Sequence, residues 1–209
     1  MKTVLDNKLS TGEMLPLMES FHSLQGEGYH SGLSTYFIRL GGCDIGCHWC
    51  DVKESWDFQK YPLIPIKKIV EKVVVNVKNV VITGGEPLMW NMFPLTNALK
   101  LKNKKVHLET SGAYKISGIW DWFCLSPKKN KLPTEQAFAR ANELKIIIYN
   151  KYDLEFAQNC AKHVKKDCLI YLQPEWGKRE KIMPLVVEFV KQNPKWKISL
   201  QTHKYLNIR

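Results

Sequence analysis

The sequence contains no apolar run that approaches the roughly 20 residues needed to cross a bilayer, which argues against a membrane-spanning protein. Residues 1–14 include acidic side chains and no long apolar stretch, so they are not typical of a secretory signal. Internal repeats and low-complexity linkers are also missing. We therefore expect a cytoplasmic protein without a membrane partner, with one domain spanning residues 1–209.

The chain also lacks the character of a disulfide-stapled scaffold. It has six cysteines in 209 residues, and its 44% hydrophobic composition is enough for an ordinary core. Three of the cysteines fall within residues 43–50, a spacing that indicates a metal site. The other three, Cys124, Cys160 and Cys168, stand apart in apolar patterns and are expected to be buried thiols.

Acidic residues are in the minority. The net charge is +11, from 31 Lys and Arg against 20 Asp and Glu. The excess is scattered in short lysine groups and does not form one stripe interleaved with aromatic residues. We interpret it as a solvated basic surface and expect no nucleic-acid partner, although anionic ligands remain compatible with it.

Apolar segments alternate between strand and helix patterns, which predicts a parallel sheet with crossover helices. The chain is shorter than the about 250 residues typical of a full eight-unit barrel. An α/β fold with about six parallel strands remains, either an open doubly wound sheet or an incomplete barrel with outer helices. The predicted strands are 36–40, 80–82, 106–110, 122–125, 144–149, 169–172 and 198–200, and the predicted helices are 66–74, 92–101, 154–164 and 182–190.

Nearly every predicted strand is followed by polar or glycine-rich residues. In parallel α/β sheets the functional site lies at the carboxyl ends of the strands. We therefore expect these segments to converge on one mouth. In chain order they read GGCDIGC, TGGEP, ETSG, SPKK, QPEW and QTHK.

Cys43, Cys47 and Cys50 place three thiolates on one short loop directly after a strand. Four protein ligands would close a zinc or iron–sulfur site, whereas three leave one position open for chemistry. A 4Fe–4S cluster with one free iron is the favoured interpretation. A structural zinc site with His48 as its fourth ligand is the alternative.

This CxxxCxxC loop resembles the cluster motif of the radical S-adenosylmethionine superfamily, in which the residue before the last cysteine is commonly aromatic, as Trp49 is here. The segment 83–87, TGGEP, resembles a second motif of that superfamily, whose backbone groups bind the methionyl amine. Two glycines suit a close approach of backbone to a ligand.

Further segments are similar to those of the 7-carboxy-7-deazaguanine synthase family, over nearly the whole chain. The resemblance implies an incomplete barrel that binds a 4Fe–4S cluster, S-adenosylmethionine and Mg²⁺. It implies a lyase that makes a 5′-deoxyadenosyl radical and contracts 6-carboxy-5,6,7,8-tetrahydropterin to 7-carboxy-7-deazaguanine with loss of ammonia, in queuosine and deazapurine biosynthesis. It also implies a homodimer and an electron-donor protein such as flavodoxin. The matching segments are 21–28 (FHSLQGEG), Arg39, 47–51 (CHWCD), 126–128 (SPK), 173–174 (QP) and 200–206 (LQTHKYL).

The resemblance assigns roles residue by residue. The cluster ligands are Cys43, Cys47 and Cys50. The residues that would line S-adenosylmethionine are Trp49, Cys50, Asp51, Gly84, Gly85, Glu86, Ser126, Pro127, Lys128, Gln173, Pro174, Glu175 and Trp176. The residues that would line the pterin are Leu24, Gln25, Gly26, Glu27, Arg39, Thr83, His203 and, through its main-chain carboxylate, Arg209.

The side-chain chemistry is compatible with this placement. The fork of Arg39 suits a substrate carboxylate, and Gln25 and Glu27 suit the aminopyrimidinone edge of a pterin. Arg39 is alternatively a solvated or salt-bridged arginine, and His203 an ordinary surface histidine. Glu109 and Lys128 are alternatively members of structural pairs.

One position departs from the family pattern. A Thr or Ser that serves as magnesium ligand is usual two residues after the last cysteine, where this chain has Val52. Valine offers no oxygen to a hard cation, so the magnesium site is in doubt. Water, a backbone carbonyl, Asp51 or Ser55 are the possible substitutes.

Two other functions stay open at this point. A glycyl-radical activating enzyme also carries CxxxCxxC and GGEP-like loops, but it acts on a protein and does not need the QGEG segment. A zinc-containing basic module that binds nucleic acid is the alternative from a different class, and the net charge favours it slightly.

Overall fold

The structure is a computed structural model, and it describes residues 4–209. Residues 1–3 of the segment considered as a secretory signal lie outside the described residues. Within residues 4–209, no helix is both long and apolar enough to span a membrane. The strands are β1 (Met14–Leu24), β2 (Ser34–Leu40), β3 (Leu63–Pro65), β4 (Asn79–Gly84), β5 (Lys105–Thr110), β6 (Trp122–Leu125), β7 (Glu143–Ile148), β8 (Leu169–Pro174) and β9 (Trp196–Ile198). The helices are α1 (Val4–Thr11), α2 (Ile66–Glu71), α3 (Phe93–Leu101), α4 (Glu135–Arg140), α5 (Tyr152–Ala161), α6 (Arg179–Gln192) and α7 (Thr202–Tyr205).

The strands form one nine-stranded sheet in the order β3-β1-β2-β4-β5-β6-β7-β8-β9. Every pairing from β2 to β9 is parallel, whereas β1 and β3 join one edge in antiparallel orientation. The described strands do not close into a ring, because β3 and β9 are the two ends of the order. The prediction of an incomplete barrel built mainly from parallel strands is confirmed.

The sequence interpretation missed β1 and β3, the two strands on the antiparallel side of the sheet. β1 (MLPLMESFHSL) has no regular alternation, and its register with β2 shifts between Leu17 and Glu19. Pro16 has no backbone N–H to donate and is bonded through its carbonyl, which accepts from Gly41 N at 2.8 Å. Polar residues in β1 therefore hid an eleven-residue strand that carries part of the site.

Helix α2 ends at Glu71, earlier than the predicted 66–74. The ammonium group of Lys104, a buried residue, donates to the carbonyl groups of Val74, Val75 and Val77, at 3.0, 2.8 and 2.6 Å. These hydrogen bonds satisfy the carbonyl groups of the segment after α2 without a helix. The helical spacing of apolar residues therefore continues beyond the residue at which the helix ends.

A two-residue alternation in the strands separates the core from the concave face. In β2, Ile38 and Leu40 belong to the buried hydrophobic cluster, whereas Arg39 lines a cavity. In β7, Leu144 belongs to that cluster and Lys145 lines the cavity. Because successive strand side chains point to opposite faces, one face of the sheet packs against helices and the other builds a polar interior.

Candidate active site

A cavity of about 490 Å³ opens at the carboxyl ends of the parallel strands. The segments that follow β2, β4, β6, β8 and β9 all contribute to it, as the strand-end pattern predicts. Every residue assigned from the resemblance lines this cavity except Pro127, which is buried beside it. The structure thus brings the assigned residues together, while their individual roles remain predictions.

The cluster loop, residues 43–50, follows β2 and is tied to the 3₁₀ turn Lys53–Trp56. Gly42 N donates to the carbonyl of Ser55 at 2.7 Å, and Cys43 N donates to that of Trp56 at 3.1 Å. Burial raises the pKa of the Cys43 and Cys47 thiols. All three thiols of the loop are half-buried, outside any disulfide, and lie on the cavity wall.

The positions of the candidate ligands distinguish between the two interpretations of the cysteine loop, an iron–sulfur cluster and a zinc site. In the described part of the chain, no three His, Cys, Asp or Glu side chains are gathered so as to hold a single metal ion. His48 is exposed and packs edge-on against Tyr149, with ring centroids 4.7 Å apart, instead of lining the cavity. The zinc site with His48 as fourth ligand is therefore not supported, and the three cavity-lining thiols fit a cluster that each thiolate holds separately.

Gly84, the last residue of β4, and Gly85, which follows it, approach the protein's own backbone. A Cβ on Gly84, whose φ is +147°, would lie 2.2 Å from the carbonyl oxygen of Leu40. A Cβ on Gly85 would lie 2.2 Å from the carbonyl oxygen of Gly42 and 3.0 Å from the Cβ of Cys43. The close approach expected toward a ligand is thus made toward the cluster loop, which this contact fixes in place.

The side chain of Glu86 ties the segment after β4 to the end of β5. Its carboxylate is 1% exposed and accepts hydrogen bonds from Leu88 N at 3.0 Å and Ser111 N at 2.8 Å, and from the hydroxyls of Thr110 and Ser111. Four donors use the four lone-pair directions of the carboxylate. The side chain of Glu86 is therefore engaged in holding this segment, and the groups that it leaves for a ligand are backbone groups.

On the opposite wall, Lys128 donates to the carbonyl and hydroxyl oxygens of Ser126 at 2.7 and 2.6 Å. Burial lowers its pKa. The ammonium group lies 5.4 Å from the ring centroid of Trp49. Gln173, 2% exposed, accepts a 2.7 Å hydrogen bond from Ser199, so both residues are held by local contacts.

An ion pair inside the cavity joins β7 to the loop after β1. The ammonium group of Lys145 contacts Glu27 Oε2 and lies 3.8 Å from Glu109 Oε1. Gln201 donates to the other oxygen of Glu27 at 2.8 Å. Burial raises the pKa of Glu27, but the charge and hydrogen bond of Lys145 and the bond from Gln201 outweigh it and bring the pKa to about 2. Glu27 is therefore ionised at neutral pH.

Gln25 and Thr83 converge on the same acidic group. Gln25 Nε2 donates to Glu109 Oε1 at 3.0 Å, and the Thr83 hydroxyl donates to Glu109 Oε2 at 3.0 Å. Gln25 Oε1 in turn accepts from Glu27 N at 3.2 Å. Each carboxylate oxygen has two lone pairs, so Glu27 and Glu109 keep capacity for a ligand donor.

Arg39 is salt-bridged, as one of the sequence interpretations proposed. Its Nε donates to Glu19 Oε1 at 2.8 Å across the β1–β2 ladder, where the two residues are direct partners. Arg209 reaches the other oxygen of Glu19, and its main-chain oxygen accepts a 2.6 Å hydrogen bond from Ser23. Glu19 thus gathers two guanidinium groups at one side of the cavity.

His203 packs against the segment that precedes Glu27. A Cβ on Gly26 would lie 2.0 Å from His203 Nδ1, so only glycine leaves room for the ring. Burial lowers the pKa of His203, although the nearby charge of Glu27 acts in the opposite direction. The histidine is half-buried on the cavity wall, which is more than the ordinary surface position considered from the sequence.

The residues around Val52 do not form a side-chain magnesium site. The hydroxyl of Ser55, which is 1% exposed, donates to the carbonyl of Val52 at 2.7 Å and does not line the cavity. Asp51 is engaged by Lys204 at 2.8 Å and Gln201 at 3.4 Å. Both contacts are to Oδ2 of Asp51, so a cation bound by the carboxylate expected to replace the missing hydroxyl would compete with Lys204.

Several cavity residues escaped the sequence interpretation or were weighed only as structural. They are Glu19, Glu109, Cys124 and Lys145, whereas Gln201 and Lys204 belong to the QTHK segment that was expected at the mouth. The strand pattern could have indicated Glu109, Cys124 and Lys145, because each has at least one apolar core residue beside it in its strand and therefore points to the opposite, cavity face. Cys124 is one of these three, and although it is buried as predicted, it lies on the cavity side, whereas Cys160 and Cys168 join the hydrophobic cluster.

Comparison with known proteins agrees with this site. Residues 37–116 match the model of the radical SAM superfamily. An open α/β barrel with three cluster thiols on its concave side defines a radical S-adenosylmethionine enzyme, with the 4Fe–4S cluster and S-adenosylmethionine that this class requires.

More specific relatives narrow the family. The chain is 59% identical to the 7-carboxy-7-deazaguanine synthase of Flavobacterium psychrophilum, over 94% of each chain. It is 45% identical to that of Synechocystis sp., over 93% of each chain. The crystal structure of QueE from Escherichia coli superimposes with a TM-score of 0.79 at 29% identity, covering 91% of this chain and 96% of that chain. The chain belongs to the 7-carboxy-7-deazaguanine synthase family.

Proposed function

We propose that this enzyme contracts 6-carboxy-5,6,7,8-tetrahydropterin to 7-carboxy-7-deazaguanine, with loss of ammonia, in queuosine and deazapurine biosynthesis. The observation that carries the proposal is one cavity in which three cluster thiols face a buried set of ionised and amide groups. Such a set matches a polar heterocycle with a carboxylate, and it would be costly to keep in an apolar site without a polar ligand.

In this proposal Cys43, Cys47 and Cys50 hold the cluster, which with S-adenosylmethionine supplies the hydrogen-abstracting radical. Gly85 packs against the start of the cluster loop, and the backbone groups of Gly84 and Gly85 receive the methionyl part of S-adenosylmethionine. The walls formed by Trp49, Ser126 and Gln173 to Trp176 enclose the remainder. These side chains keep water from the radical and set its distance to the substrate.

The substrate would bind on the side of β1 and β7. Glu27 and Glu109 accept hydrogen bonds from the amino and ring N–H groups of the pterin, because both carboxylates retain lone pairs. The terminal nitrogens of Arg39 receive the substrate carboxylate while its Nε stays on Glu19. His203, uncharged at neutral pH by the direction of its pKa shift, offers one donor and one acceptor.

No step is assigned to magnesium. The donor set beside Cys50 lacks a hydroxyl and its carboxylate is paired with Lys204, which supports a site that works without a side-chain-held Mg²⁺. An electron-donor protein, a homodimer, a cytoplasmic location and a single domain over residues 1–209 complete the proposal. The continuous sheet supports the last of these.

The proposal is tested by anaerobic turnover of the reconstituted protein with S-adenosylmethionine, dithionite and the carboxypterin. We expect 5′-deoxyadenosine and 7-carboxy-7-deazaguanine to accumulate together, as detected by mass spectrometry. Formation of a protein glycyl radical with no deazaguanine would favour the activating-enzyme alternative. A colourless protein that binds one zinc and an RNA oligonucleotide would favour the nucleic-acid module.

A further inference from the structure

A second cavity, of about 580 Å³, lies outside the active site and is rich in cations. We refer to it as the basic cavity, and four of its residues, Lys151, Lys178, Arg179 and Lys181, are cationic. Its one carboxylate, Glu180, has an 89% exposed side chain and lies 3.4 Å from Arg179. Within the described part of the chain, the three lysines form no ion pair.

The basic cavity is continuous with the outer side of the cluster loop. Tyr149 lines it, and the ring of His48, which neighbours Cys47 in the chain, packs against Tyr149 at 4.7 Å between centroids. The ammonium group of Lys178 lies 3.6 Å from the centroid of the same tyrosine. Through Tyr149, these two side-chain contacts connect Lys178 of the basic cavity to the loop that carries the cluster thiols.

A single 3₁₀ turn, Trp176–Lys178, separates the two cavities. Trp176 lines the active site, and Gly177 and Lys178 line the basic cavity. The cations are therefore close to the cluster side of the enzyme, yet they take no part in the walls that enclose the proposed ligands. The proposed reaction in the active site therefore assigns no function to the cations of the basic cavity.

We propose that the basic cavity and the exposed edge of the cluster loop at His48 form the docking surface for an acidic one-electron donor protein. This inference rests on the proposed function, since a radical S-adenosylmethionine enzyme needs one electron for each cleavage of its cosubstrate. The donor's redox centre loses one electron and the enzyme's cluster gains it, with no group transferred.

The charge and size of the surface fit this partner. Complexes of electron-transfer proteins bury less than about 1,200 Å², so a few charges around one cavity are enough to orient the donor. Complementary charges raise the association rate by tenfold or more, and salt weakens the effect. A nucleic acid would need a longer basic track with interleaved aromatic residues, which the grouping at this one cavity does not provide.

The test compares the pair Lys151→Glu/Lys181→Glu with the control pair Lys67→Glu/Lys102→Glu in the cluster-loaded enzyme. All four lysines are exposed, and both pairs change the net charge equally. Lys102 follows α3 and precedes β5, at the amino-terminal edge of the sheet and away from the site. The probe is an acidic flavodoxin in its hydroquinone form. The readouts are its dissociation constant and the rate of cluster reduction, followed by stopped-flow absorbance at several salt concentrations.

We expect the Lys151/Lys181 variant to lower the reduction rate about tenfold at low salt and to lose most of the salt dependence, while the control pair resembles the wild type. Equal rates in all three proteins, or an equal loss in the control pair, would overturn the proposal. Retained reduction together with lost binding of an RNA oligonucleotide would also overturn it. Dithionite-driven product formation should be the same in all three, and its absence in the wild type would count against the proposed function instead.

Discussion

The ammonium group of Lys145 contacts Glu27 Oε2 inside the active-site cavity, with side-chain exposures of 5% and 17%. Each charge offsets the cost of burying the other, and Gln201 and Glu109 complete the set. Glu27 stays ionised because Lys145 is present, so the pair links the strand β7 to the protonation state of the proposed pterin-binding carboxylate.

Replacing Lys145 with Met should give the catalytic pH profile an acidic limb. Burial raises the pKa of Glu27, and Lys145 contributes most to lowering it, so without the lysine that pKa should rise from about 2 toward its ordinary value of 4.5. As pH falls through the new pKa, kcat/KM should fall, mainly through KM, whereas the wild type should stay flat there.

Because removal of one partner of a buried ion pair costs about 3–5 kcal/mol, thermal unfolding of this variant must be measured first. Lys145→Arg keeps the charge and serves as the control, with the acidic limb expected to disappear. An acidic limb of equal position in Lys145→Arg, or none in Lys145→Met, would contradict the assignment.

Adding a methyl group at Gly85 should prevent cluster assembly. Its Cβ would lie 2.2 Å from the Gly42 carbonyl oxygen and 2.6 Å from its carbon, and backbone atoms cannot move aside as a flexible side chain would. Gly46→Ala is the matched control within the cluster loop, since its φ of +68° imposes strain of about 1 kcal/mol but no atom lies within 4 Å. Iron content and visible absorbance after reconstitution should be largely lost in Gly85→Ala and largely kept in Gly46→Ala. Full iron loading of Gly85→Ala would show that the contact is not needed.

Chelator-treated enzyme with its cluster intact should respond less than twofold to added Mg²⁺, since Val52 offers no oxygen and Lys204 pairs with Asp51. Val52→Thr should introduce a ligand and increase Mn²⁺ binding, as measured by electron paramagnetic resonance. Stoichiometric Mn²⁺ binding by the unmodified enzyme, together with loss of activity on chelation, would disprove this expectation.

Glu19→Ala should weaken binding of the carboxypterin about tenfold, because Arg39 would lose the acceptor that orients its guanidinium, a charged hydrogen bond worth about 1.5 kcal/mol. Glu19→Gln keeps an acceptor oxygen and should restore KM close to the wild-type value. A pterin analogue without the carboxylate provides the control, since its affinity should not change in Glu19→Ala. An equal loss for both ligands would place the effect elsewhere.

Much of this arrangement follows from local patterns. The alternation in YFIRL at 36–40 predicts that Arg39 leaves the core face, and the polar strand ends predict a single mouth, as found. The same alternation in LKIIIY marks Lys145, but a lysine between Leu144 and Ile146 does not reveal its carboxylate partner, which lies 118 positions away in the chain.

Other features depend on contacts that no local pattern contains. The role of Glu86 is set by donors from Ser111, which directly follows the neighbouring strand β5, and the pairing of Glu19 with Arg39 needed an irregular strand, β1, to be recognised first. The hydrogen bond from Lys204 to Asp51 joins segments that lie 153 positions apart in the chain.

The most direct test of the central claim, that one cavity presents the pterin to the radical made at the cysteine loop, uses a carboxypterin deuterated on its reduced ring. During anaerobic turnover, mass spectrometry should find deuterium in 5′-deoxyadenosine together with 7-carboxy-7-deazaguanine. Unlabelled 5′-deoxyadenosine with no deazaguanine would contradict the claim, because the radical would then form without meeting this substrate.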